Sequence, residues 1–238
     1  MNLSEKRNKR MEIKENQNVL AGFTARLLRK HFGKGPESVF VSISNDVICI
    51  YLRELLTPVE KVLLENNQFG MVYATRDSLM EKCLPELKKQ IQEETGHYFK
   101  HFYYDWNMET NGGVIVAVKE ELRDQADDSS LQEVNKLVAA VTKKTERLPD
   151  KVKSVKLNNR TLVIYREGIL VNIEKEIVRS GEEEVLRKAK GNLEKQELRE
   201  AFDKESQLLQ GTAQEIFVDW SFEKDQSMIV VIIDPNDN

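Results

Sequence analysis

The three histidines are the first residues whose type could support chemistry. His97 and His101 would share one face of a helix, but the aromatic residues around them are typical of a strand. Four residues of strand separate two side chains by roughly 13 Å, too far to share one metal ion without ligands from another element. The sequence contains no paired-cysteine knuckle, HExxH motif, GxSxG elbow or phosphate-binding glycine loop. We therefore expect no metal site, no cofactor and no catalytic residues.

Two Asp-Trp pairs are stronger candidates, because they recur 114 residues apart. Asp105-Trp106 corresponds to Asp219-Trp220 at that spacing. A carboxylate beside a large aromatic ring could form part of a ligand pocket. The structural alternative is that each Trp fills a core between sheet and helices, while each Asp accepts backbone hydrogen bonds near a hairpin.

Two Arg-Glu pairs form a second candidate set. Arg53-Glu54 and Arg166-Glu167 each follow an apolar stretch that is typical of a buried strand. We expect an ion pair at each strand end, and a pair that leaves a sheet edge could also contact a partner. A general acid and base would need convergent geometry, which the sequence cannot provide.

The spacing of 114 runs through much of the chain. Residues 50–61 align with residues 164–175 and are identical at five of twelve positions, where chance would give about one. Residues 114–118 correspond to residues 228–232, which are apolar in both places. We conclude that the chain contains two diverged copies of one domain of about a hundred residues. Each copy is long enough to bury its own core.

Local signals predict the elements of the first copy. A helix should run to about His31 and end at Gly33, followed by two strands at residues 39–43 and 47–51. The strands should join at Asn45-Asp46, which tolerate the positive φ of a tight turn. The remaining signals are a capping box at Thr57 and Glu60, a second box at Ser78 and Glu81 opening a longer helix, and a hairpin turn at Asn111-Gly112.

The second copy repeats this order with one predicted difference. A helix should begin near Leu131, and a later helix should open with a capping box at Ser180 and Glu183. Residues 169–173 alternate like a strand where the first copy has the Thr-Pro helix start. Each copy is therefore predicted to be an α+β domain, with a four-stranded, largely antiparallel sheet and helices packed on one face.

Composition and charge suggest boundaries within the chain. We predict a basic extension at 1–16, repeats at 17–118 and 131–233, a polar linker at 119–130 and a tail at 234–238. Of the 238 residues, 40% are hydrophobic and 32% charged, as in ordinary globular proteins. No apolar run approaches the roughly 20 residues of a membrane-spanning helix. Because the first residues are charged, we expect no signal peptide and a cytoplasmic protein.

A distinctive set of motifs consists of Gly33-Lys34-Gly35-Pro36, Leu55-Leu56-Thr57-Pro58-Val59-Glu60-Lys61, Arg76, Leu87 and Thr95-Gly96. Taken together, these motifs resemble the MpsC-like family. That family was long catalogued as a domain of unknown function and is named for a sodium-translocating system that generates a membrane potential. The resemblance covers residues 17–118 well and 131–233 loosely. It implies a small soluble partner of a membrane machine that moves sodium ions or bicarbonate, with no catalytic residues to carry over.

Three functions follow from these observations. The first is a non-enzymatic interaction or regulatory protein that docks on an integral-membrane ion-transport subunit or on itself. Thr57 and Arg76 then join the Arg-Glu and Asp-Trp residues as candidate interaction or ligand residues. The second is sensing of a small molecule, or catalysis, between the two copies. The third is nucleic-acid binding through the basic N-terminal helix, which an acidic body disfavours, since residues 1–34 carry nine Lys or Arg but the whole chain has a net charge of −4.

Overall fold

The computed structural model describes residues 3–120, 122 and 129–236. Over these residues the chain forms six α-helices and eight strands, with the same order of elements in each half. The first half contains α1 (Leu3–Phe32), β1 (Ser38–Ile43), β2 (Val47–Arg53), α2 (Pro58–Glu65), α3 (Phe69–Thr95), β3 (His101–Asn107) and β4 (Gly112–Val118). The second contains α4 (Ser129–Thr145), β5 (Lys151–Asn158), β6 (Thr161–Glu167), α5 (Asn172–Arg179), α6 (Glu183–Lys204), β7 (Gly211–Ser221) and β8 (Gln226–Pro235).

Each half builds one four-stranded antiparallel sheet with the same strand order. The orders are β1-β2-β4-β3 and β5-β6-β8-β7. Leu52 pairs with Gly113 in the first sheet, and Arg166 pairs with Ser227 in the second, so the register also repeats at a spacing of 114. Helix α1 packs on β1 and α3, as α4 packs on β5 and α6. The predicted α+β fold class of two tandem repeats is confirmed.

Left-handed backbone conformations give independent evidence of the duplication. Most side chains avoid a positive φ, so each such position marks a specific turn. Four positions of the first repeat with positive φ have a counterpart 114 residues later. The pairs are Glu54 and Gly168, Asn67 and Gly181, Gly96 and Gln210, and Asn111 and Asp225. The turns were therefore retained, although only three of these eight residues are glycine and no pair has the same residue in both repeats.

The chain separates into two compact units. The first comprises Met1–Phe102 with Trp106–Glu120, and the second comprises Tyr103–Asp105 with Glu121–Asn238. Residues 3–16 of the predicted basic extension are part of α1, which is continuous to Phe32. Residues 1–2, most of the predicted linker (121 and 123–128) and residues 237–238 of the tail lie outside the described residues. The predicted boundaries stay predictions.

The capping signals of the first repeat are confirmed in part. Helix α1 ends at Gly33 with φ of 77°, and Thr57 and Glu60 form the predicted capping box at the start of α2. The hairpin at Asn45-Asp46 closes with a hydrogen bond from Ser44 N–H to the Val47 carbonyl, but neither turn residue has the predicted positive φ.

The second capping box of the first repeat was predicted wrongly. Helix α3 begins at Phe69, nine residues before Ser78, after a turn in which Asn67 has a φ of 58°. Ser78 lies inside the helix, and its hydroxyl donates to the carbonyl oxygen of Ala74 at 3.0 Å. A serine with its hydroxyl bonded to the preceding turn produces the sequence pattern of a cap without its geometry.

The predicted strand over residues 169–173 is also wrong, because α5 begins at Asn172. The carboxylate of Glu174 accepts the N–H of Val171 at 3.0 Å, as Glu60 does for Thr57. Asp225 Oδ1 accepts hydrogen bonds from the N–H groups of Ile169 and Leu170, both at 2.8 Å. These two bonds hold the backbone in place just before the helix begins. Ser180 is the C-cap of α5 rather than the N-cap of α6.

Candidate functional site

A buried ion pair against an indole ring lies at the centre of the first unit. Glu60, the third residue of α2, accepts hydrogen bonds from Arg76 of α3 at 2.7 Å (Nε) and 3.2 Å (Nη2). The guanidinium of Arg76 lies 4.7 Å from the ring centroid of Trp106, within cation–π range. Burial would raise the pKa of the Glu60 carboxyl, but the hydrogen bonds and charge of Arg76 outweigh it and lower the pKa.

The same three-residue arrangement recurs in the second unit at a spacing of 114. Glu174 of α5 accepts a hydrogen bond from Nζ of Lys190 of α6 at 2.8 Å, and that Nζ lies 5.9 Å from the ring centroid of Trp220. Burial would lower the pKa of Lys190, but the charge of Glu194 and the hydrogen bonds of Glu146 and Glu174 outweigh it and raise the pKa. A buried cation between a helix-capping glutamate and a tryptophan is therefore common to both repeats.

The second unit carries further polar groups where the first is apolar. Five residues of the first repeat without a polar side chain are replaced, at the positions 114 residues later, by residues whose side chains can form hydrogen bonds. The replacements are Leu28 by Thr142, Phe32 by Glu146, Leu52 by Arg166, Met80 by Glu194 and Gly113 by Ser227. These five groups, with Glu174 and Lys190, are called here the buried charge cluster.

Arg166 contacts three other members of this cluster. Its guanidinium donates to the hydroxyls of Ser227 at 2.9 Å and Thr142 at 2.8 Å, and it forms an ion pair with Glu194. Only 1% of its side chain is exposed, so these acceptors replace the water that it loses.

The strand-end ion pairs predicted for the Arg-Glu residues are not formed as expected. Arg166 binds Glu194, while Glu167 accepts a hydrogen bond from the Tyr165 hydroxyl at 2.8 Å. In the first unit Glu54 accepts from the side-chain amide of Asn111 at 2.7 Å, and Arg53 is exposed. The prediction failed because Arg166 aligns with Leu52 rather than with Arg53, so it points into the core and not off the strand end.

Asp105 and Asp219 both lie in the second compact unit, which includes residues 103–105 of β3. Asp105 Oδ2 accepts the N–H of Val218 at 2.8 Å, and Asp219 Oδ2 accepts the N–H of Tyr104 at 2.8 Å. Arg187 forms an ion pair with Asp219. Burial raises the pKa of Asp219 to about 6, although Arg187 opposes the shift. The tryptophans that follow these aspartates are both buried.

Exposed apolar residues on the paired helices were missed by the sequence reasoning. Val59 of α2 is 69% exposed and its counterpart Ile173 of α5 is 67% exposed. Met71 of α3 and its counterpart Val185 of α6 are likewise exposed, at 54% and 62%. The alignment of the two copies shows that both pairs are apolar, but their exposure is visible only in the structure.

The basic N-terminal helix and the histidines form no metal-binding group among the described residues. Lys30 and His31 both contact the carboxylate of Glu86, at 3.0 and 2.9 Å. His97 follows α3 and is exposed, whereas His101 is the first residue of β3. The prediction that both lie in one strand is therefore wrong. Within residues 3–120, 122 and 129–236, no group of three or more His, Cys, Asp or Glu side chains is arranged to hold a metal ion.

The comparisons with known proteins identify the family. The model of the family described as "Na+-translocating membrane potential-generating system (MpsC)" matches residues 13–121 and again residues 128–235. The chain belongs to the MpsC family. Its two matches coincide with the two repeats seen in the fold.

The MpsC chain is also similar to the uncharacterized protein YbcI of Bacillus subtilis (strain 168). The two are 33% identical over 90 residues, which cover 37% of this chain and 72% of YbcI. No solved structure matches. Among the described residues, no helix of this MpsC protein is both long enough and apolar enough to cross a membrane.

Proposed function

We propose that this protein is a non-enzymatic cytoplasmic interaction protein, and that it acts as an accessory component of a sodium-translocating system that generates a membrane potential. Its partner would be an integral-membrane ion-transport subunit. The family description supports the system, and the exposed apolar residues on the helix pairs support the mode of action. The site consists of Val59 and Met71 in the first repeat and of Ile173 and Val185 in the second, called here the paired apolar positions.

The main support for the proposal is that these positions are apolar in both repeats. A single exposed apolar side chain is ordinary on a protein surface. Here the core itself has diverged, since a leucine, a phenylalanine and a methionine became Thr142, Glu146 and Glu194. Apolar residues nevertheless remain at two equivalent exposed positions, where packing within the unit does not require them. Binding to an apolar partner surface explains their retention.

The placement of the charged residues supports a non-enzymatic role. Arg76, Arg166 and Lys190 are almost completely buried, and each is bound by carboxylates of its own unit. These charges are held by internal hydrogen bonds and so serve the fold rather than a substrate.

Affinity capture in mild detergent tests this function. The tagged protein should bring down an integral-membrane protein, and a variant carrying Val59→Asp and Ile173→Asp should lose most of it, because a charge cannot be buried in an apolar contact. The matched control is Leu148→Asp, which changes an apolar residue of similar exposure (55%) in the connection between α4 and β5. Capture of soluble proteins only, or an equal loss in the control, would contradict the proposal.

A further inference from the structure

The buried charge cluster holds two carboxyl groups that each have at least one oxygen without a hydrogen-bond donor. Glu146 follows the last turn of α4, and Glu194 lies on α6; each side chain is 2% exposed. Glu146 Oε2 lies 2.7 Å from Nζ of Lys190, and Glu194 Oε1 lies 3.6 Å from the same atom. Glu146 Oε1 and Glu194 Oε1 are buried without a hydrogen-bond partner. Buried carboxylate oxygens without donors are strongly unfavourable.

The charges of the cluster do not balance if every carboxyl group is ionised. Its cations are Arg166 from β6 and Lys190 from α6. Its carboxyl groups are Glu146 beside α4, Glu174 from α5 and Glu194 from α6, and the remaining groups, Thr142 and Ser227, are neutral. Three anions face two cations in a site whose charged side chains are at most 11% exposed. One bound proton restores neutrality.

We propose that Glu146 and Glu194 share one proton at neutral pH and so form a buried proton-binding site in the second repeat. Two carboxyl groups can form a hydrogen bond with each other only when one of them carries a proton. A proton between them also supplies the donor that the unpaired oxygens lack.

Glu146 is the protonated member of the pair. Burial and the neighbouring Glu194 raise the pKa of Glu146 to about 9, against the opposing charges of Lys190 and Arg166. The opposite holds for Glu194, whose pKa is lowered because Arg166 outweighs the effect of its burial. Glu146 therefore donates and Glu194 accepts.

The first repeat has no such site. Phe32 and Met80 occupy the equivalent positions and are buried in its apolar core. Alkaline pH that removes the proton would leave an unpaired charge where α4 and α6 pack, and the equivalent positions of the first repeat have no group to respond in this way.

Infrared spectroscopy of the whole protein tests the proposal. At about pH 8, where exposed carboxyl groups and Asp219 are ionised, we expect a carbonyl band of one protonated carboxyl group. The band should be lost in Glu146→Gln and retained in the control Glu133→Gln, which changes an exposed carboxylate on α4. Absence of the band in the wild-type protein, or its persistence in Glu146→Gln, would overturn the proposal.

The wild-type protein alone provides a second measurement, in case Glu146→Gln does not fold. The protonated band should disappear as pH rises through about 9, while the amide band of the backbone is unchanged. A band that persists well above this pH, or that has gone already at neutral pH, would also overturn the proposal.

Discussion

At the scale of the residue, the buried cation of each repeat is the group whose removal should matter most. Arg76→Met leaves the buried carboxylate of Glu60 without its cation, so we expect it to lower the free energy of unfolding by about 3–5 kcal/mol. Arg76→Lys introduces the residue that the second repeat has at Lys190, and should cost less because the charge is retained. Urea denaturation measures both losses.

The control for this prediction is Arg53→Met, which changes an exposed arginine of the same unit and should have little effect. Equal losses for Arg76→Lys and Arg76→Met would show that charge at this position is not what stabilises the unit.

Single residues were predicted unevenly from the sequence. Arg76 was selected through the family resemblance and Glu60 as a helix cap, but the sequence did not join them, because their contact depends on how α2 and α3 pack. The spacing of 114 aligns Arg76 with Lys190 and Glu60 with Glu174. A cation and a glutamate at equivalent positions of both repeats would have indicated the ion pair. The role of Arg166 was missed because Arg166-Glu167 was compared with Arg53-Glu54, whereas the spacing of 114 aligns Arg166 with Leu52.

At the scale of the element, the two short helices allow a reciprocal test of capping. The Thr57 hydroxyl accepts the N–H of Glu60 at 3.2 Å, whereas Val171 has no acceptor at the same position of α5. We expect Thr57→Val to lower the free energy of unfolding by about 1 kcal/mol and Val171→Thr to raise it by a similar or smaller amount. Thermal denaturation of both variants measures the shifts.

The two variants serve as controls for each other, because they exchange the same side chains at equivalent positions. Shifts of the same sign would contradict the capping explanation and indicate that side-chain volume decides the effect.

Elements fixed by nearby residues were predictable, and those fixed from a distance were not. The capping box of α2 needs only Thr57 and Glu60, three residues apart, so the sequence displays it. The chain entering α5 is held by Asp225, which is more than fifty residues away, and the alternation of residues 169–173 therefore suggested a strand. The start of α3 has no side-chain cap, and Ser78 supplied a false one.

At the scale of the whole molecule, the shared proton should couple the stability of the second repeat to pH. The pKa of Glu146 is about 9 in the folded protein and 4.5 in an ordinary peptide, so the folded state binds a proton that the unfolded state releases between these values. The stabilisation is complete below the lower value and is lost as pH rises through the upper one. The free energy of unfolding should fall by up to about 1.4 kcal/mol per pH unit more steeply than in Glu146→Gln.

Urea denaturation at several values between about pH 6 and pH 9 gives this slope. Identical slopes for the wild-type protein and Glu146→Gln would contradict a proton bound by Glu146 in the folded state.

The duplication is the feature of the whole molecule that the sequence predicted best, because it depends on residue identities and not on packing. The two α+β domains, each with a four-stranded antiparallel sheet, followed from it, whereas the family followed from motifs of the first copy. The paired apolar positions were not predicted, since the sequence alone does not distinguish an exposed valine from a buried one. They appear only when exposure is compared between equivalent positions.

Site-specific photo-crosslinking in cells tests the docking of these positions most directly. A photoreactive residue at position 59 or 173 should form a covalent adduct with an integral-membrane protein, and the same residue at position 148 should form none. Adducts from both 59 and 173 would support docking through the equivalent helices of both repeats. Adducts only from position 148, or no membrane protein at any of the three, would contradict the account.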